Sequence, residues 1–221
     1  MMQDYKNLAA ELVSALKKQG ADAADVYVVA STGFNTTVRL GKIERLQQST
    51  SKGLGLRVIK NGAMANTFTT DFNDKAVQSL ARETMEIVRV SNADPHNGLA
   101  PKELLGTYEG RLAMFDDSLA KLSPERKIEI AKEAEDAGLR FDKRITNGRG
   151  TSWNNSQTQI TLANSDGFVG QYQTTSASLS VGLLAEENGV SGPPALGDDR
   201  FEVGVIGIEQ RLPDVLKALL K

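Results

Sequence analysis

The chain has no cysteine and one histidine, His96, in 221 residues. These two shortages exclude disulfides, thiol nucleophiles and thiolate metal centres, and they leave too few imidazoles for a two-histidine zinc site. Carboxylates alone could still hold a hard cation. Aromatic residues are scarce at 5%, so there is no repeated platform for stacking bases or sugars. Neither sign of charge dominates. Lys plus Arg is 26 against 28 Asp plus Glu, a net −2, which gives no overall attraction to a phosphate backbone or an anionic membrane surface. No apolar run approaches the roughly 20 residues of a membrane helix, and Met1 to Lys18 lacks the continuous apolar stretch of an export signal. The expectation is a cytoplasmic protein with no direct nucleic-acid or membrane partner.

What remains is ordinary globular material, 40% hydrophobic, enough for one large or two small cores. Tyr5, Leu8, Ala9, Leu12, Val13 and Leu16 mark one face of a helix, with Asp4 as cap and Gly20 beyond its end. Asp25 to Ala30 reads as a buried strand, and Thr36 to Thr50 as a hairpin around Gly41 and Lys42. Leu54, Leu56 and Val58 alternate with Gly55 and Arg57 before Asn61 and Gly62, the residue pair of a two-residue hairpin turn, and Met64 to Thr69 returns. A second helix over Asp74 to Val90 carries Asn73 or Asp71 as cap.

Pro95, Gly98, Pro101 and Gly106 punctuate the aperiodic stretch after it. Ser123 and Pro124 then open a third helix ending near Gly138. From Ile145 to Glu186, Ser, Thr, Asn and Gln interleave with single apolar residues, the pattern of strands with one polar face. Such a face is solvated sheet or a surface that accepts an extended peptide by strand addition. The fold class is therefore α+β. It comprises a helix, antiparallel-hairpin, helix domain over 1–90, a linker over 91–122, a helix plus β-rich segment over 123–188, and a Gly/Pro loop with a terminal strand or helix over 189–221. In that last segment Leu212, Leu216 and Leu220, with Val215 and Leu219, form an apolar stripe expected to contact a partner, a second copy or the chain itself.

No catalytic constellation assembles from these residues. Gly53, Leu54 and Gly55 lack the third glycine and the following helix of a dinucleotide loop. The neighbouring acids Asp116 and Asp117, Glu186 and Glu187, and Asp198 and Asp199 read as surface charge, since adjacent strand residues point to opposite faces. Ser49, Thr50, Ser51, Ser176 and Ser178 have no activating base nearby in sequence, and His96 lies in the linker. Trp153 and Tyr172 read as core or sheet packing.

Two blocks nevertheless carry a resemblance. The run Val38 to Val58, with Ile43, Glu44, Leu46, Gln48, Ser49, Thr50 and Ser51 followed by Gly53, Leu54, Gly55, Leu56, Arg57 and Val58, resembles the amino-terminal signature of the TldD and PmbA (TldE) family. Leu162 to Gly170, then Tyr172 and the Ser/Thr alternation to Glu186, resembles that family's central strand segment. The resemblance implies an intracellular peptidase system in which a zinc-bearing TldD-type subunit pairs with a metal-free PmbA-type subunit on unfolded peptides. Its metal ligands lie on a His-Glu-x-x-x-His helix, which this sequence lacks, so the likeness is to the metal-free PmbA/TldE type. The expected cofactor is none in this chain, with zinc only in a TldD-type partner. Family chains also continue into a large β-rich domain, so this chain is either a piece of a longer one or a short relative.

The expected role is a catalytically silent subunit with neither catalytic nor metal-binding residues, whose contacts with peptide or partner run through Gln48, Ser49, Ser51 and Arg57. Two other readings stay open. One is a non-enzymatic peptide-binding or self-assembling sheet module. The other is a regulator of a DNA-handling enzyme acting through protein contacts, since no basic cluster supports direct DNA binding.

Overall fold

The computed structural model describes residues 3–106, 113–187, 190–191 and 202–203. In chain order it has helix α1 (Lys6–Lys18), strands β1 (Ala23–Arg39), β2 (Lys42–Lys60) and β3 (Ala63–Thr69), and helix α2 (Asp74–Val90). After a single 3-10 turn at Lys102–Leu104 come α3 (Asp117–Ala120), α4 (Pro124–Leu139), β4 (Ile145–Asn164) and β5 (Val169–Glu187), with short pieces β6 (Val190–Ser191) and β7 (Glu202–Val203). The strand order is β3-β2-β1-β4-β5-β6, with β7 also pairing β5. The class is α+β. The terminal stripe of Leu212, Leu216 and Leu220 lies outside the described residues.

Contacts divide the chain into two compact units, each discontinuous in sequence. The first takes residues 1–31, 50–115 and 158–174, and the second takes 32–49, 116–157 and 175–221.

In the first unit, alternation decides the layering. Ala24, Val26 and Val28 of β1 and Leu54, Leu56 and Val58 of β2 point to one face and are buried against Leu12, Leu16, Leu80 and Met85 of α1 and α2. Each of the valine, leucine and methionine side chains contributes roughly 1.5–3 kcal/mol on leaving water. α2 starts where Asn73 accepts the Ala76 N–H at 2.8 Å, which satisfies one of the helix's orphan donors. α1 departs from expectation in a small way. Tyr5 occupies the cap position without a side-chain bond, while Asp4 accepts the Lys6 N–H at 2.9 Å.

In the second unit, Phe34, Val38, Ile130, Ala131 and Trp153 form the core beneath α4. Ser123 caps α4 by accepting the Arg126 N–H, and Pro124 follows at its first turn. Lys127 lies within this core, its ammonium 4.9 Å from the Phe34 ring centre, and burial pulls its pKa down.

The strands run longer than the sequence pattern implied. The buried strand at Asp25–Ala30 and the first arm of the hairpin are one element, β1, of 17 residues. Polar residues from Ser31 to Thr37 hid this continuity, because there the sheet's second face is partly exposed and small polar side chains suffice. The expected turn at Asn61 and Gly62 is present, with φ of 50° and 76°, and β2 pairs β3 from Leu54↔Thr69 to Lys60↔Ala63. A Cβ on Gly62 would come no closer than 3.4 Å to the Ala93 side chain, so the demand for glycine there is conformational. Gly62→Val is expected to lower stability by about 1–3 kcal/mol through a β-branched residue at positive φ, read as a lowered urea midpoint; an unchanged midpoint would contradict the turn.

Candidate functional site

The candidate site lies in the second unit, on the part of β2 nearest its hairpin. Every side chain from Lys42 to Ser49 is exposed, including Ile43 at 47% and Leu46 at 53%. β3 pairs β2 only from Leu54 onward, and among the described residues no strand lies along the outer edge of Lys42–Ser49. A strand edge of this kind carries backbone N–H and C=O groups with no protein partner.

This edge is anchored at its tip. Leu40 and Gly41 form the hairpin turn with φ of 47° and 72°, and both donate backbone N–H groups to the carboxylate of Glu135 on α4, at 3.0 and 2.8 Å. Glu135 is 2% exposed. Its carboxylate is shared between two N–H groups at the turn, and Gly148 leaves room for it, since a Cβ there would stand 3.0 Å from Oε1. Arg39 adds a bond from Nε to the Gly148 carbonyl at 2.8 Å. Hydrogen bonds to a charged acceptor are the stronger kind.

Away from α4, the second unit's sheet presents a groove of about 570 Å³ to which four strands contribute. β2 contributes Arg45, Gln47 and Ser49, β1 Gly33 and Asn35, β4 Asn154 and Ser156, and β5 Ser176 and Ser178. Lateral bonds tie the strands together. Asn35 donates to Asn154, Thr37 and Ser152 share a bond at 2.9 Å, and Ser156 and Ser176 share one at 2.8 Å. The constant sum of the paired positions on β1 and β4 shows the two strands to be antiparallel.

The residues singled out from sequence fall apart. Ser49 lines this groove, while Gln48, its neighbour on the strand, points to the opposite face. Ser51 and Arg57 belong to the first unit. There Arg57 is engaged by Asp25, with Nε 2.8 Å from Oδ2, beside a hollow lined by Tyr27, Gly55 and Phe68. His96 is exposed, and its backbone N–H is held by Asp94. Asp116 caps α3 through the Ser118 and Leu119 N–H groups. Trp153 is 1% exposed and donates to Asn155. Sequence reasoning missed Asn35, Arg45, Gln47, Asn154 and Glu135. The polar alternation along each strand was visible, but their convergence depends on which strands are neighbours.

Among the described residues no grouping of three or more His, Cys, Asp or Glu side chains is placed to hold a metal ion, and no helix is long and apolar enough to cross a membrane.

The α+β fold of these long-stranded units has known relatives. Residues 24–88 match the domain described as PmbA/TldA metallopeptidase domain 1, and residues 117–208 match the PmbA/TldA metallopeptidase central domain. The chain belongs to the PmbA/TldD family. It is 33% identical to the metalloprotease PmbA of Escherichia coli O157:H7 over 86% of its own length and 41% of the relative's. It is 27% identical to a PmbA homologue of Haemophilus influenzae over 82% of its length and 40% of the relative's. The chain thus spans about two-fifths of these curated relatives.

Among solved structures, one from Bacteroides thetaiotaomicron, named for a suggested role as modulator of DNA gyrase, superposes with a TM-score of 0.72 at 26% identity, covering 86% of this chain and 44% of the other. TldE from Thermococcus kodakarensis shares the fold, with a TM-score of 0.68 at 15% identity over 83% of this chain and 40% of its own. The family description includes metallopeptidases. The chain has one histidine and no cysteine, and the described residues bring no cluster of three or more His, Cys, Asp or Glu side chains together.

Removing the Glu135 anchor tests the local account. Glu135→Ala leaves two turn N–H groups without their acceptor and is expected to cost on the order of 2 kcal/mol. The Leu40 and Gly41 amides should then exchange faster with solvent, and unchanged exchange at those two amides would show the carboxylate to be dispensable.

Proposed function

We propose that this chain is a PmbA/TldE-type, metal-free subunit, or part of one, in an intracellular TldD/TldE-type metallopeptidase system acting on unfolded peptides. The observation that carries this reading is the edge of β2 from Lys42 to Ser49, exposed on both faces and unpaired among the described residues. An extended peptide has the same alternating N–H and C=O groups free and can add to such an edge with little demand on its sequence. Gln48 and Ser49 then flank it with neutral polar side chains, which tolerate varied neighbours. Membership in a family of metallopeptidases supports the peptidase connection, and the scarcity of metal donors in this sequence accords with a metal held by a TldD-type partner. In this arrangement the chain holds and orients the peptide, and the partner supplies the metal-activated water.

Reconstitution tests this. The purified chain is expected to contain no stoichiometric zinc by elemental analysis, and to form a complex with a TldD-type subunit that hydrolyses an unfolded peptide which neither protein cleaves alone. One tightly bound zinc per chain, or no complex at micromolar concentrations of both, would contradict the assignment.

A further inference from the structure

The groove in the second unit has a lining with one formal charge. Arg45 is its only ionisable lining residue, and the others are amides, hydroxyls, small residues and Phe34. The Arg45 guanidinium donates to Gln47 Oε1 at 2.7 Å and to no carboxylate among the described residues, so most of its five donors remain available. Asn35 uses its amide nitrogen on Asn154, and its Oδ1 is buried without a hydrogen-bond partner. The groove therefore offers one bidentate cation beside a field of neutral donors and acceptors, including an acceptor with no donor.

We propose that this groove binds the terminal carboxylate of an extended peptide, with Arg45 forming the ion pair and Gln47, Asn35 and Asn154 hydrogen-bonding the last peptide groups. A guanidinium matches a carboxylate fork to fork. Other ligand classes fit poorly. A sugar or a single-stranded nucleic acid needs an aromatic platform, and the one aromatic lining residue, Phe34, is buried with its ring against Lys127. A nucleic acid also needs several cations along its backbone. Arg45 stands on β2 itself, so a peptide laid along Lys42–Ser49 passes beside it. The inference rests on the peptide-holding role proposed above and adds a polarity to it, because the chain would distinguish the end of a peptide from its middle.

Gly33 gives a steric probe of the same groove, since a Cβ there would fall 2.9 Å from Ser49 Oγ. The experiment uses the full chain and two fluorescent-labelled unstructured peptides, identical except that one ends in a free carboxylate and the other in an amide. Fluorescence anisotropy is expected to show the free acid binding about tenfold more tightly, as one charge-assisted pair implies. Arg45→Gln should remove that preference, Arg45→Lys should restore part of it, and Gly33→Ala should weaken the free acid. Equal binding of both peptides, or a preference that survives Arg45→Gln, overturns the carboxylate assignment and leaves strand addition standing. Binding of neither peptide overturns both. Competition by inorganic phosphate but not by acetate at equal ionic strength overturns it in favour of a phosphate ligand.

Discussion

Backbone hydrogen-bonding capacity is the constraint on which this structure turns. β2 is 19 residues long and its outer neighbour β3 only seven, so the pairing that begins at Leu54 cannot cover the strand toward its hairpin. Exposed edges of this kind invite association, and proteins usually shorten, bend or cover them. Here the strand is long, and its hairpin tip is fixed by a buried carboxylate. The charges it carries, Lys42, Glu44 and Arg45, are interleaved with Ile43 and Leu46. Among the described residues no strand covers this edge, which is what the proposed reception of an extended chain requires.

The anchor explains how this is possible. Glu135 is contributed by α4, some 95 positions from the turn it holds, and it accepts the two N–H groups that a two-residue hairpin leaves pointing out of the ladder. Leu40 there takes a positive φ of 47°, a conformation that disfavours a branched apolar residue. The bonds to Glu135 offset that cost. Beneath the same sheet, Phe34, Val38 and Trp153 pack on α4, so the helix that supplies the anchor is itself set by the core of its unit.

How much of this could be read in advance divides along physical lines. Features fixed by neighbouring residues were legible: the Asn61–Gly62 turn, the Asn73 cap of α2, the Ser123–Pro124 start of α4, and the burial of Leu54, Leu56 and Val58. The full length of β1 was not, because Ser31–Thr37 lacks the apolar alternation that signals a strand, and its place in the sheet is set by β2 and β4 beside it. The groove was harder still. Ser49, Ser176 and Ser178 read singly as hydroxyls without a base, and only the order β2-β1-β4-β5 turns them into one surface with Arg45 and Asn35. Glu135 gave no signal at all, since its partners are backbone groups that any residue carries.

The central claim, that the edge of β2 is ordered, open and made to receive an extended chain, is tested most directly by amide hydrogen exchange resolved residue by residue along Lys42–Ser49. In the free protein the account predicts alternation, with amides directed toward β1 exchanging slowly and those directed outward exchanging fast. Adding an unfolded peptide should slow the fast set and leave the slow set as it was. Uniform protection in the free protein would mean that the edge is already covered, and an exchange pattern unchanged by saturating peptide would mean that it receives nothing.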